Sequence, residues 1–159
     1  MTAFDRYLHS VIERGALEAH EDRSAAIEAQ HLLLAIAAGR EPTTRQVLAS
    51  AGLDRQAIRA ALDLEFERSL NAAGVSLADF DLPRPSPAPK PPTQLGASAR
   101  LALDRMATVF RKKDLRPAHL LLGILQAEAG TVPRALALAG VDQAGLVATV
   151  RRALPGQNG

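Results

Sequence analysis

His31 and His119 are the side chains in this chain best suited to chemistry. Each opens a leucine-rich block: Ala29-Gln30-His31-Leu32-Leu33-Leu34-Ala35-Ile36 in one and Pro117-Ala118-His119-Leu120-Leu121-Leu122-Gly123-Ile124 in the other. Two imidazoles could begin a metal site. A structural zinc, however, needs four ligands and a catalytic zinc three. Neither histidine has an Asp or Glu four residues on, and there is no His-Glu-x-x-His. The simpler reading is that each ring hydrogen-bonds backbone at a helix start inside its own half. His9 with Glu13, and His20 with Glu21 and Asp22, read as parts of a solvated face. There is no cysteine, so neither a thiolate ligand nor a Cys nucleophile is available. No phosphate-binding Gly-x-x-x-x-Gly-Lys-Ser/Thr loop and no Gly-x-Ser-x-Gly elbow occurs. None of Ser10, Ser24, Ser50, Ser69, Ser76, Ser86 and Ser98 has a neighbouring constellation that suggests activation, and Glu65 and Glu67 fall on different sides of a helix. These residues point away from catalysis, and no metal or cofactor is expected.

The elements that carry these residues come twice. His31 and His119, Gly52 and Gly140, and Asp54 and Asp142 are each 88 residues apart, in one ungapped register. A duplicated helical unit builds one pseudo-symmetric body with a shared core. Phe4, Leu8, Val11, Ile12 and Ala19 follow helical spacing over about 4 to 21. The Leu-rich block from His31 to Ala38 is apolar nearly all round and reads as a buried central helix. A short helix at about 43 to 51 ends at Gly52, a candidate left-handed cap. Asp54 then caps a helix running to about Leu70. In the second copy Ala99, Ala102, Leu103, Met106 and Phe110 form the first stripe. The central helix, a short helix opened by Thr131 and Pro133, the Gly140 stop and an Asp142-capped last helix follow. Its first helix is offset by 91, pairing Phe4 with Leu95 and Leu8 with Ala99, so the turn after it is three residues shorter. The expectation is all-α, two pseudo-twofold-related four-helix repeats: residues 1–75, a Pro-rich linker 76–94, residues 95–154 and a tail 155–159. Pro83 to Pro92 should be an extended tether.

Composition agrees. The chain has 159 residues, 47% hydrophobic but only 3% aromatic, so its core must be built from Ala, Leu, Val and Ile in close-packed helices. A net charge of +2 makes no strong electrostatic demand for nucleic acid or a membrane surface. With no signal-like stretch at the start and no apolar run of spanning length, a cytoplasmic location is expected. The densest cations, Arg111, Lys112 and Lys113, with Arg151 and Arg152, sit where they complement helix carboxyl ends. They are also the residues on which an alternative reading rests, a helical nucleic-acid-binding regulator.

The paired pattern resembles the N-terminal (Clp repeat) domain of Clp-type AAA+ unfoldases. An amphipathic helix is followed by His-Leu-Leu-Leu-x-Ile and then by Leu-x-x-Ala-Gly-Leu/Val-Asp. The likeness covers about residues 4 to 70 and 95 to 154. It implies eight helices and a non-enzymatic role in docking substrates, adaptors or peptide-like molecules. With no ATPase module in these 159 residues, it further implies an adaptor, a competitor for adaptors, or a sponge for peptidic toxins such as cyclic peptides. In several family members a Glu before each of the two His is associated with recognising phosphorylated arginine. Here those positions are Gln30 and Ala118, which lack the carboxylate a guanidinium wants, so that site is expected to be degraded. A second family surface, where the first helices of the repeats approach, accepts peptide-like ligands. Its matching positions are Met1, Phe4, His9, Leu95 and Arg100. For Phe4 and Leu95 the competing reading is staple packing at a helix start.

Overall fold

The computed structural model describes residues 1–74 and 89–155. The linker expected at 76–94 therefore lies mostly outside the described residues, as does the tail from 156 onward. The first repeat contains α1 (Ala3–Glu21), α2 (Ala29–Ala38), α3 (Pro42–Ser50) and α4 (Arg55–Ala72). The second contains α5 (Ala97–Val109), α6 (Pro117–Leu125), α7 (Thr131–Leu138) and α8 (Gln143–Arg152). All eight are helices, and the described residues contain no strand beyond one isolated bridge. The all-α double repeat is what the structure has.

The starts and stops follow local chemistry. Thr2 opens α1 with a capping box, its hydroxyl accepting from the Asp5 amide and the Asp5 carboxylate from the Thr2 amide, both at 3.0 Å. Gly52 and Gly140 end α3 and α7 at φ 71° and 73°, which L side chains rarely adopt. Asp54 then accepts from the Ala57 amide at 2.7 Å, and Asp142 from the Gly145 amide at 3.1 Å.

The contacts show the pseudo-dyad. α1 packs on α2 as α5 packs on α6, and α2 on α4 as α6 on α8. Across the repeats, α3 meets α6 and α8, while α7 meets α2 and α4. α2 and α6 also meet each other, which puts them at the centre. Every residue from His31 to Ile36 is buried, as is every residue from Ala118 to Leu125. These two helices are therefore apolar on nearly all sides because each is enclosed by both halves. The repeats are also tied through backbone. The Ile27 amide donates to Gln94 O, and the Gly96 amide to Ile27 O, each at 2.8 Å.

The copies differ in ways the register does not show. α5 stops at Val109, and Phe110 turns extended, so Phe110 leaves the helical stripe and its ring lies 4.0 Å from that of His119. Lys112 and Lys113 then sit in a short 3-10 turn, Lys112–Asp114, rather than at the end of α5. In α6, Gly123 is required by close approach: a Cβ there would run into the Ala102 carbonyl oxygen of α5.

Candidate functional site

Both central histidines are orienting groups. The His31 Nδ1 accepts from the Glu28 amide at 2.9 Å, so Nε2 carries the proton and donates to Asp22 Oδ2 at 3.0 Å. The other Asp22 oxygen meets Arg59 at 3.0 Å, and Arg59 reaches on to Asp63 at 3.1 Å. Burial pushes the Asp22 carboxyl up, but the His31 hydrogen bond and the Arg59 charge outweigh it and hold it below its ordinary range. His119 repeats half of this. Its Nδ1 accepts from the Arg116 amide at 2.8 Å, and the Phe110 ring packs against it at a 50° tilt.

Burial, then the nearby Arg116 charge, lower the His119 pKa below 6.5. The unfolded chain therefore binds this proton more readily than the folded one. The His119 contribution to stability is whole above the unfolded value near 6.5 and is lost as pH falls toward the folded value. A His119→Asn variant, whose amide oxygen can still accept from Arg116, should narrow its stability gap to the wild type between pH 7.5 and 5. Urea unfolding at three pH values reads this, and a constant gap would refute it.

Gln30 lies on an open cleft of about 280 Å³. Asp22, His31, Arg59, Asp63 and Glu65 supply polar groups to it, and Phe66 supplies an aromatic surface that is 57% exposed. Thr131 closes it from the second repeat. Glu65 is itself buried and held from across the repeat boundary, accepting from Arg134 at 2.9 Å and from Ser69 at 2.6 Å. Ala118, at the dyad-related position, is buried in the core. The duplicated position is thus polar and accessible in one repeat and closed in the other.

The positions at the start of α1 and α5 divide by exposure. Met1 is 84% exposed, whereas Phe4 is only 8% exposed and belongs to the core. His9 pairs with Glu13 at 2.9 Å on the solvated side of α1. Leu95 is half-buried against the core and bridges to Ile27. Arg100 is exposed, and its Nε donates to the Leu95 carbonyl at 3.0 Å. Phe4 lies in the first turn of α1, whereas Leu95 precedes the Gly96 cap of α5, so their shared sequence register does not become the same structural place. Asp5, beside Phe4, feels the charge of Lys112 in repeat two, as Leu95 meets Ile27 in repeat one.

Three features escape sequence reasoning. Ser98 of α5 accepts from the Ala29 amide at 2.8 Å and donates to Glu28 at 2.6 Å, so the α2 start is capped in part from the other repeat. Glu18, 2% exposed, is clasped by Arg55 through two 2.8 Å bonds. Phe66 had one visible signal, an aromatic standing in the charged run Leu64-Glu65-Phe66-Glu67-Arg68.

The comparisons accord with this architecture. The family model described as the Clp repeat (R) N-terminal domain matches residues 3–84. The chain belongs to the Clp N-domain family. No curated protein matches it. In this family the domain is a non-catalytic protein-interaction module. Within the Gln30 cleft Arg59 pairs with both Asp22 and Asp63, and the two central imidazoles accept from backbone amides at their helix starts. No described helix is long and apolar enough to cross a membrane.

Proposed function

We propose that this Clp N-domain protein is a docking module that captures a polypeptide segment without chemical turnover. It would serve as an adaptor, a competitor or a peptide sponge for an unfoldase machine. The observation that carries the reading is the cleft at Gln30. One exposed apolar residue means little by itself. Phe66, though, stands at the mouth of a cleft with convergent polar groups, the usual composition of a recognition site. Gln30 offers a neutral acceptor where family members present a carboxylate. The cleft therefore suits an uncharged or unmodified side chain of a captured segment better than a phosphorylated arginine. Met1, His9 and Arg100 offer exposed contacts along the starts of α1 and α5, with Phe4 and Leu95 as their apolar backing.

The test is fluorescence polarisation with a labelled, permanently unfolded polypeptide. Phe66→Ser should weaken binding about fivefold, as loss of one well-placed aromatic contact does. A His9→Asp, Arg100→Glu double variant should weaken it comparably. All three sites are exposed, so the fold should survive. Tight binding of duplex DNA with a steep loss in salt, and none of polypeptide, would instead favour the basic clusters at 111–113 and 151–152.

A further inference from the structure

On the face of α1 opposite His9, a second pocket of about 260 Å³ opens between α1 and the turn from α2 into α3. Its base is the buried apolar set Val11, Ala35 and Ile36. Tyr7 and Ser10 line one side, and two guanidinium groups, Arg14 and Arg40, complete it. Tyr7, Ser10, Val11 and Arg14 share this face because residues three and four apart stack along a helix. His9 falls roughly 200° round from Tyr7, at 3.6 residues per turn.

The charges in this pocket are unbalanced. Arg40 has no ion-pair partner among the described residues, and Arg14 comes only within 3.9 Å of Glu18, whose carboxylate Arg55 already holds. The one carboxylate in the lining, Glu41, accepts from the Thr43 and Thr44 amides at 3.2 and 2.7 Å as the cap of α3. The Tyr7 hydroxyl is sealed from solvent and meets no partner in hydrogen-bonding geometry. Burial above all raises its pKa to about 12, the Thr44 hydroxyl beside it pulling the other way and the Glu41 charge adding to the rise. It therefore stays a neutral phenol and adds no negative charge to the pocket.

The duplication supplies an internal control. In repeat two the corresponding residues are Leu101 for Ser10, Arg105 for Arg14, Gly123 for Ala35 and Glu128 for Arg40. There Gly123 lets α5 and α6 close up, and Arg105 folds onto the Gly123 carbonyl at 3.0 Å. One copy has shut this space and reversed the charge at its edge. The other keeps it open, with two guanidinium groups available.

We infer that this pocket of repeat one binds the carboxyl terminus of a polypeptide, Arg14 and Arg40 holding the terminal carboxylate while Val11, Ala35 and Ile36 receive a small apolar last side chain. Guanidinium is the donor fork that matches a carboxylate. The space falls just below the usual range of about 300 to 1,000 Å³ for small-molecule sites, which suits one residue rather than a folded segment. Capture of a terminal carboxylate is a recognised peptide-binding mode. The inference rests on the docking reading above but concerns a different face.

Tyr7 is the only tyrosine and the chain has no tryptophan, so intrinsic fluorescence reports this pocket directly. The full chain is titrated with an acetylated tetrapeptide ending in leucine, as free acid and as C-terminal amide, with amide NMR shifts followed alongside. The free acid should change Tyr7 emission, shift the Arg14 and Gly39–Glu41 amides, and bind at least tenfold tighter than the amide. Arg14→Gln and Arg40→Gln should each weaken it about fivefold, without a change in thermal midpoint. Equal binding of acid and amide would overturn the inference, as would isovalerate or inorganic phosphate matching the free acid. If acid and amide bind equally with shifts confined to the Phe66 cleft, this pocket is refuted and the docking reading stands. Failure of unfolded polypeptide to bind in the polarisation assay removes that reading separately.

Discussion

Shortening Leu120 to alanine is expected to cost about 3 kcal/mol and to bring both repeats down in a single transition. Leu120 lies wholly inside, on the central helix of repeat two. Truncation there loses the transfer free energy of the removed atoms and leaves a cavity that α6 cannot readily close. The second part of the prediction is the more informative. α6 touches α1, α2 and α3 of the first repeat as well as α5, α7 and α8 of its own. A core so shared should unfold as one unit, as single domains of this size usually do. The natural reporter is Tyr7, which sits in repeat one, far along the chain from the substitution. Tyr7 fluorescence and the helical circular dichroism signal should move to the same lower urea midpoint in Leu120→Ala. A Tyr7 transition left at the wild-type midpoint, with an early loss of only part of the helical signal, would mean that the repeats are separate folding units.

What the sequence disclosed and what it hid divide along physical lines. Helix positions, the Gly52 and Gly140 stops and the Asp54 and Asp142 caps are local: a left-handed glycine or a carboxylate two or three residues from a free amide acts within one turn. The backbone bonding of His31 and His119 was legible for the same reason, since each ring reaches the amide three residues before it. The paired register also disclosed the two copies, because duplication leaves the same residue types at fixed spacing. Concealed were the links made only when distant helices meet. Ser98 capping α2, Arg134 reaching Glu65 and Arg55 reaching Glu18 span 69, 69 and 37 residues of sequence. No periodicity within a helix announces such a partner. Phe110 is the instructive miss: its spacing fits the α5 stripe, yet it stands outside the helix as an extended C-cap packed against the His119 ring. The candidate sites were legible in part. Gln30 was placed by its step before His31, but the cleft around it is assembled from α2, α4 and α7, and the Arg14–Arg40 pocket needs a helix face and a turn that are remote in sequence.

Replacing Arg55 with methionine should destabilise the protein by about 3 kcal/mol, the range expected when a buried ion loses its partner. Glu18 is 2% exposed, and both of its oxygens are taken by the Arg55 fork. Without that fork the carboxylate keeps only Arg14, at 3.9 Å, in a setting where water cannot replace the lost bonds. Held only at that distance, the charge would be drawn toward solvent, which disturbs the packing of α1. The converse experiment separates the worth of the pair from the penalty of breaking it. A Glu18→Met, Arg55→Met double variant removes both charges and fills the space with flexible apolar side chains. Its stability should return to within about 1 kcal/mol of the wild type, since well-packed apolar replacements of buried pairs are often near neutral. The measurement is urea unfolding of the two single variants and the double, read as a double-mutant cycle. A double variant no more stable than Arg55→Met alone would show that the loss came from the packing of the long arginine stem rather than from the stranded charge. The same cycle at high salt should change little, because a pair enclosed on one side by Glu18's burial is poorly screened.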